Sequence, residues 1–78
     1  MRIFIAVKAG DHADAEGLAR TLRGMEGIEE AYELSGSLDI MLKARSDSAA
    51  GLKGIVESVK AFPGVASANS YLIIEERR

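Results

Sequence analysis

The sequence predicts an α+β domain built from two consecutive strand–helix–strand units, which gives the element order βαββαβ. Three observations predict it: an apolar first strand, an amphipathic helix after it, and a repetition of both 37 positions further along the chain. A chain of 78 residues has room for one hydrophobic core. We therefore expect residues 1–78 to form a single domain.

The first unit begins with the short apolar segment Ile3–Val7, whose β-branched residues are typical of a buried strand. Asp11 then stands where a helix N-cap is expected. The predicted helix has one apolar face with the spacing i, i+3, i+4 and i+7. Its members are Ala15, Leu18, Ala19, Leu22 and Met25. Gly27 ends this helix, and residues 28–35 are predicted to form a second strand that closes at Gly36.

The second unit repeats the first. Ile3 corresponds to Ile40, Leu18 to Ile55 and Gly27 to Gly64, each pair 37 positions apart. Ser48 takes the N-cap position, and Pro63 ends the second helix because it cannot continue the helical hydrogen bonds. The predicted elements are a strand at Asp39–Ala44, a helix at Ser48–Phe62 and a strand at Val65–Glu75. Joined by a tight turn at Gly36–Ser37, the two units give a ferredoxin-like fold, an antiparallel four-stranded sheet with two helices on one face.

One face of this sheet is predicted to be unusually apolar. Strands one and three are central in this fold, and five of their residues are expected to face the helices: Ile3, Ile5, Val7, Ile40 and Leu42. The opposite face carries the apolar side chains of Phe4, Ala6, Met41, Tyr71 and Ile73, with Arg2, Lys8, Lys43 and Glu75 around them. An apolar patch with a charged rim favours an interface, so we predict a homodimer packed sheet to sheet, open to further assembly. The alternative is that these are ordinary exposed apolar residues without a role.

The composition of the chain excludes several kinds of site and partner. Cysteine is absent, which excludes disulfides and thiolate metal sites, and no cofactor is expected. The net charge of −2 gives no electrostatic reason for direct DNA binding. No segment reaches the ~18 apolar residues of a membrane span. We expect no membrane partner and a cytoplasmic location.

Few residues suggest catalysis. His12, next to Asp11, is the one candidate base, and we interpret it as an exposed residue at the helix start. Glu26, Glu29, Glu30 and Glu33 match no calcium loop, and strand alternation places Glu29 and Glu30 on opposite faces. An edge strand exposed to water explains these acids better than a metal site. We predict that the chain is not an enzyme and holds no metal.

Gly51 and Gly54 lie inside the predicted second helix. Each costs about 1 kcal/mol relative to alanine there. We therefore expect close packing or the close approach of a neighbour at these positions.

The segment from Ser35 to Asp39 is the one candidate binding loop. As structure it is a hairpin turn, in which Gly36 permits a positive φ. As a binding loop it offers free backbone groups and, in Asp39, a carboxylate suited to an ammonium group. Turn chemistry alone favours the structural interpretation and leaves the second open.

Two stretches resemble a known family. The segment at 27–42, with its Gly-x-x-Asp turn, and the Pro-Gly-Val turn followed by the strand at 69–74 resemble the ligand-sensing (RAM) domain of Lrp/AsnC transcriptional regulators. The resemblance implies dimers that pack through their sheets and assemble into rings, with an amino-acid effector held between dimers. The implied effector-binding residues are Gly36, Ser37, Leu38, Asp39 and Ser70. Leu38 stands where the family usually has an aromatic residue.

The resemblance also implies a role. The family's helix-turn-helix half has no counterpart here, so the chain resembles the stand-alone form of the module, which acts by binding effectors or by associating with full-length regulators. Two alternatives remain open. One is an ACT-like regulatory module, whose ligand loop follows the first strand. The other is a small dimeric α/β-barrel protein that acts on a hydrophobic substrate between two sheets.

Overall fold

Six elements follow one another in the order that the internal repeat predicts. The computed structural model describes residues 1–36 and 39–77. Its elements are β1 (Arg2–Ala9), α1 (Ala15–Arg23), β2 (Ile28–Glu33), β3 (Ile40–Arg45), α2 (Ala49–Ala61) and β4 (Val65–Leu72). The order confirms the predicted βαββαβ arrangement.

The four strands form one antiparallel sheet with the order β2-β3-β1-β4. The central position of β1 and β3 is as predicted. The register pairs Ile5 of β1 with Leu42 of β3 on one side and with Ser70 of β4 on the other. Because paired residues point to the same side of a sheet, this register fixes which side chains share a face.

The hydrophobic core lies between the sheet and the two helices. All five residues predicted to face the helices are buried, and four of them are completely inaccessible. The largest fully buried side chains are Ile5, Val7, Leu22, Ile40, Leu42 and Val59. Their removal from water is the main stabilising contribution available to a domain without disulfides.

The start of α1 differs from the prediction. The N-cap is Asp14, not Asp11, and its side chain makes no capping hydrogen bond. The delay has a local cause: the N–H of Ala13 donates to the Gly10 carbonyl, 3.0 Å away, and forms a separate turn before the helix. The first helical hydrogen bond runs from the Leu18 N–H to the Asp14 carbonyl.

The boundaries of α2 agree with its sequence signals. The Ser48 hydroxyl accepts a hydrogen bond from the Gly51 N–H at 3.0 Å, which confirms the predicted N-cap. The helix ends at Ala61, and Phe62 is already extended because it precedes Pro63. Neither helix in residues 1–36 and 39–77 is long and apolar enough to cross a membrane.

Strand ends shift by one to three residues from the predictions. β2 ends at Glu33 because the next residue, Leu34, donates its N–H to the Asp39 carbonyl and closes the turn. β4 ends at Leu72, short of the predicted Glu75. Its partner β1 begins at Arg2, whose carbonyl accepts one more hydrogen bond, from the Ile73 N–H. Beyond that point β1 has no residue left to pair.

Candidate functional site

The sheet face that the helices leave uncovered, which we call the open face, carries apolar side chains from all four strands. They are Phe4, Ala6, Tyr32, Met41 and Tyr71. Phe4 pairs directly with Tyr71 and is 37% exposed, while Tyr71 is 56% exposed. Aromatic side chains in such positions supply much of the contact area of protein interfaces.

The centre of the open face is a small buried residue. Ala6 is only 2% exposed, yet it lies outside the core cluster beneath the helices. It pairs with Met41 on one side and with Asn69 on the other. Past the end of β4, Ile73 is half-buried at the level of Arg2. The predicted interface residues therefore form a continuous surface with a shallow centre and exposed aromatic side chains.

Tyr32 belongs to this surface, although the sequence did not indicate it. Simple alternation from the buried Ile28 would direct Tyr32 toward the helices. A register shift between Ile28 and Glu30 reverses the alternation, so Ala31 pairs with the buried Leu42 and Tyr32 pairs with Met41. Tyr32 is 49% exposed and donates a hydrogen bond to the Glu30 carboxylate at 2.8 Å, which raises the pKa of the tyrosine.

Ion pairs lie along one side of the open face. Arg2 Nε is 3.0 Å from Glu29 Oε1, and Lys43 Nζ is 3.0 Å from Glu76 Oε1. The hydrogen bond with Glu29 raises the pKa of Arg2. Glu29 thus reaches a residue of the open face, and the predicted separation of Glu29 and Glu30 onto opposite faces is wrong because the register shift interrupts the alternation.

The described residues of the β2–β3 turn lie at one end of the sheet, where Ser35 and Gly36 are exposed. Gly36 has a φ of +102°, which confirms that the turn uses the left-handed region. The Leu34 N–H donates to the Asp39 carbonyl at 2.9 Å and closes the turn. Ser37 and Leu38, two of the predicted effector-binding residues, lie outside the described residues.

Asp39 has a contact that the sequence did not predict. Its Oδ2 accepts a hydrogen bond from the Ala9 N–H at 2.7 Å, across 30 positions of sequence. Its own N–H donates to the Val7 carbonyl at 3.2 Å. The side chain therefore holds the end of β1 against the turn. No local pattern could reveal this contact, because the partner is a backbone group remote in sequence.

Ser70 lies elsewhere in the same chain. It is exposed on β4 and pairs with Ile5, whereas Asp39 contacts Ala9 at the end of β1. Four strand residues separate these levels, about 13 Å along β1. One chain therefore does not bring Ser70 beside the Gly36–Asp39 turn.

Two other candidates have ordinary surroundings. His12 is exposed in the turn before α1 and is not part of the helix. Of the acidic residues, Glu29 pairs with Arg2 and Glu30 accepts from Tyr32. Within the described part of the chain, no group of three His, Asp or Glu side chains is placed to hold a metal ion.

The open face of the sheet and the exposed residues Ser35 and Gly36 at one end of it are the two candidate contact surfaces of the domain. Comparison with protein families identifies the domain. The chain belongs to the Lrp/AsnC ligand binding domain family, whose model matches residues 2–78. This confirms the resemblance seen in the sequence, and it places the chain in a family of ligand-binding regulatory domains.

Curated relatives match this chain over a short part of their own length. A homocitrate synthase from Sulfolobus acidocaldarius is 32% identical over 73 residues, which are 94% of this chain but 16% of the synthase. The chain thus spans about 16% of the length of the curated relatives that it matches.

Solved structures share the fold. A transcriptional regulator from Neisseria meningitidis, in complex with L-methionine, superimposes with a TM-score of 0.85 at 23% identity, covering 99% of this chain and 51% of the regulator. A hypothetical protein from Pyrococcus horikoshii has a TM-score of 0.82 at 22% identity, covering 96% of this chain and 90% of its own.

Proposed function

We propose that the chain is an amino-acid-effector-binding module that associates with itself through the open face and modulates transcription through partner proteins. The observation that carries this proposal is the half-buried carboxylate of Asp39 at the end of the sheet, close in sequence to the exposed Ser35 and Gly36. Membership of a ligand-binding family supports a small-molecule ligand. The methionine complex of the Neisseria relative supports an amino acid.

Asp39 suits the ammonium group of such an effector. An ionised carboxylate accepts several hydrogen bonds, and the Ala9 N–H uses one oxygen atom, Oδ2. Nearby, the exposed Ser35 and Gly36 leave the turn accessible to a ligand. Effector binding at this turn involves Gly36, Ser37, Leu38 and Asp39 in the proposal.

Ser70 takes part only when two chains meet. It lies about 13 Å along the strand from Asp39 in its own chain. A site that uses both residues is therefore shared between neighbouring chains. This geometry favours an effector that binds at a contact between dimers and stabilises a ring-like assembly.

Self-association has a physical reason in this chain. A domain of about this size buries only ~60% of the surface that its unfolded chain exposes. Disulfides are absent, and Phe4, Tyr32 and Tyr71 are exposed together on the open face. Packing a second copy against that face would remove these aromatic side chains from water.

A screen of the standard amino acids by thermal unfolding tests the effector proposal. We expect at least one of them to raise the melting temperature, because a ligand that binds only the folded state stabilises it. Asp39→Asn keeps an oxygen for the Ala9 N–H but removes the charge, so the increase should be smaller in this variant. If no amino acid changes the melting temperature or the oligomer, or if Asp39→Asn keeps the full response, the effector proposal is wrong.

The proposed effect on transcription depends on which partner protein the chain binds. The net charge of −2 favours action through full-length Lrp/AsnC regulators over direct DNA contact. The match to homocitrate synthase favours a second candidate, control of a biosynthetic enzyme by the same module. Gel filtration distinguishes the two functions when this chain is mixed either with a purified full-length Lrp/AsnC regulator or with a purified homocitrate synthase from the same source. Co-elution with the regulator supports the first function, and co-elution with the synthase supports the second.

A further inference from the structure

A cleft lies at the opposite end of β2 from the Gly36–Asp39 turn, between the α1–β2 turn, the end of β3 and the side of α2. We call it the α2 cleft, and its volume is about 550 Å³. Its walls include Met25, Glu26, Arg45, Ser46, Ile55 and Ser58. Small-molecule sites commonly have volumes of about 300–1,000 Å³.

Two opposite charges line the α2 cleft without neutralising each other. Glu26 and Arg45 are both exposed, and neither takes part in the ion pairs found in residues 1–36 and 39–77. Arg2 and Lys43, by contrast, each have a carboxylate partner. A carboxylate and a guanidinium that face one cleft complement a ligand that carries both charges.

The uncharged residues of the α2 cleft indicate which kind of side chain the ligand carries. Met25 and Ile55 are half-buried and pack against the hydrophobic core, so their accessible surfaces form an apolar wall. Ser46 and Ser58 add hydroxyl groups. The combination fits an α-amino acid with an apolar side chain.

Gly54 lines the α2 cleft. A Cβ atom placed on it would meet nothing within 4 Å, so the expected close packing does not occur there within the chain. Gly51 differs, because its Cβ would overlap the Ser46 hydroxyl, and here the expected close packing is found. A glycine inside a helix costs about 1 kcal/mol relative to alanine, and at Gly54 no intrachain contact requires it.

We infer that the α2 cleft binds a small apolar amino acid, with Arg45 receiving its carboxylate and Glu26 its ammonium group. This site lies within one chain and is separate from the proposed effector site at Asp39. Its occupation therefore requires no assembly.

An NMR titration of backbone amides with L-leucine tests the inference. We expect shifts at Gly27, Gly51 and Gly54. 4-Methylpentanoate lacks the ammonium group and 3-methylbutylamine lacks the carboxylate, so each should bind about tenfold more weakly or worse. Arg45→Met should weaken L-leucine binding by a similar factor. Lys53→Met removes the same charge from an exposed position of α2 and should leave binding unchanged.

Filling the cleft gives a second test. Gly54→Leu places a side chain into open space and should abolish the shifts, whereas Gly54→Ala should retain them, and both should remain helical by circular dichroism. The Asp39→Asn variant should retain binding in the cleft. The inference is wrong if L-leucine causes no shifts at Gly51 and Gly54, or if it shifts only the residues around Asp39. Unchanged binding in Gly54→Leu would also overturn it. None of these results would contradict the Asp39 proposal.

Discussion

The carboxylate of Asp39 accepts a hydrogen bond from the backbone N–H of Ala9, with 2.7 Å between Oδ2 and the nitrogen. This contact ties the β2–β3 turn to the end of β1. The same carboxylate is the proposed ammonium ligand of an effector. A structural role and a binding role therefore meet in one side chain, and substitutions must separate them.

Stability separates the two roles of Asp39. Asp39→Ala removes the acceptor of the Ala9 N–H and should lower the free energy of unfolding by about 1–2 kcal/mol. Asp39→Asn keeps an acceptor of the same shape and should cost less than about 0.5 kcal/mol. Urea denaturation of both variants measures the difference. Equal losses in the two variants would show that the charge, not the hydrogen bond, stabilises the turn.

Neighbouring residues of β4 test the open face. Tyr71 and Leu72 are 56% and 58% exposed, but they point to opposite faces of the sheet. Tyr71→Asp places a charge in the proposed interface and should weaken dimerisation at least about tenfold, because burying an unpaired charge is costly. Leu72→Asp is the matched control and should dimerise normally. Sedimentation equilibrium compares them, and equal dissociation constants would exclude this face as the interface.

The Tyr32 hydroxyl should lose its proton at a higher pH than an ordinary tyrosine does. Its hydrogen bond to Glu30 raises the tyrosine pKa above the ordinary value of 10.0. A raised pKa in the folded state means that the associated stability is present below the ordinary pKa and is lost as the pH rises through the folded value. Ultraviolet titration in a Tyr71→Phe background follows Tyr32 alone. Glu30→Gln should lower the midpoint, and an unchanged midpoint would show that Glu30 does not cause the shift.

Gly27 is constrained by both its backbone and a neighbour. Its φ is +90°, and a Cβ there would lie 2.5 Å from Ile55 Cδ1. Gly27→Ala should cost about 1–3 kcal/mol of folding free energy. Gly36→Ala has a similar φ with nothing within 4 Å of the added atom, so it reports the backbone cost alone.

A double-mutant cycle with Ile55→Val isolates the steric part of the Gly27 effect. Removing Cδ1 of Ile55 should reduce the cost of Gly27→Ala toward that of Gly36→Ala. Denaturant unfolding of the single and double variants measures the coupling. Strict additivity would show that contact with Ile55 does not contribute.

The internal repeat explains why the fold could be predicted. Corresponding strands and helices share their apolar spacing, and Ile3 and Ile40 both face the core. Ser48 caps α2 as its residue type and position indicate. Local chemistry decides such features, so the sequence alone is sufficient for them.

The features that the sequence did not reveal involve contacts remote in sequence, in addition to the local turn that delays α1. The turn before α1 is tied to the α2–β4 connection by a hydrogen bond from the Gly10 N–H to the Gly64 carbonyl, and the helix begins only after Asp14. The register shift in β2, which brings Tyr32 onto the open face, exists only when β3 pairs beside it. The contact between Asp39 and Ala9 likewise requires the assembled sheet.

Sedimentation velocity of the chain at micromolar concentration, alone and with each standard amino acid, tests the central claim most directly. We expect a species of twice the 8.3 kDa chain mass without effector and a larger assembly with at least one amino acid. A single species at the mass of one chain under every condition would contradict it.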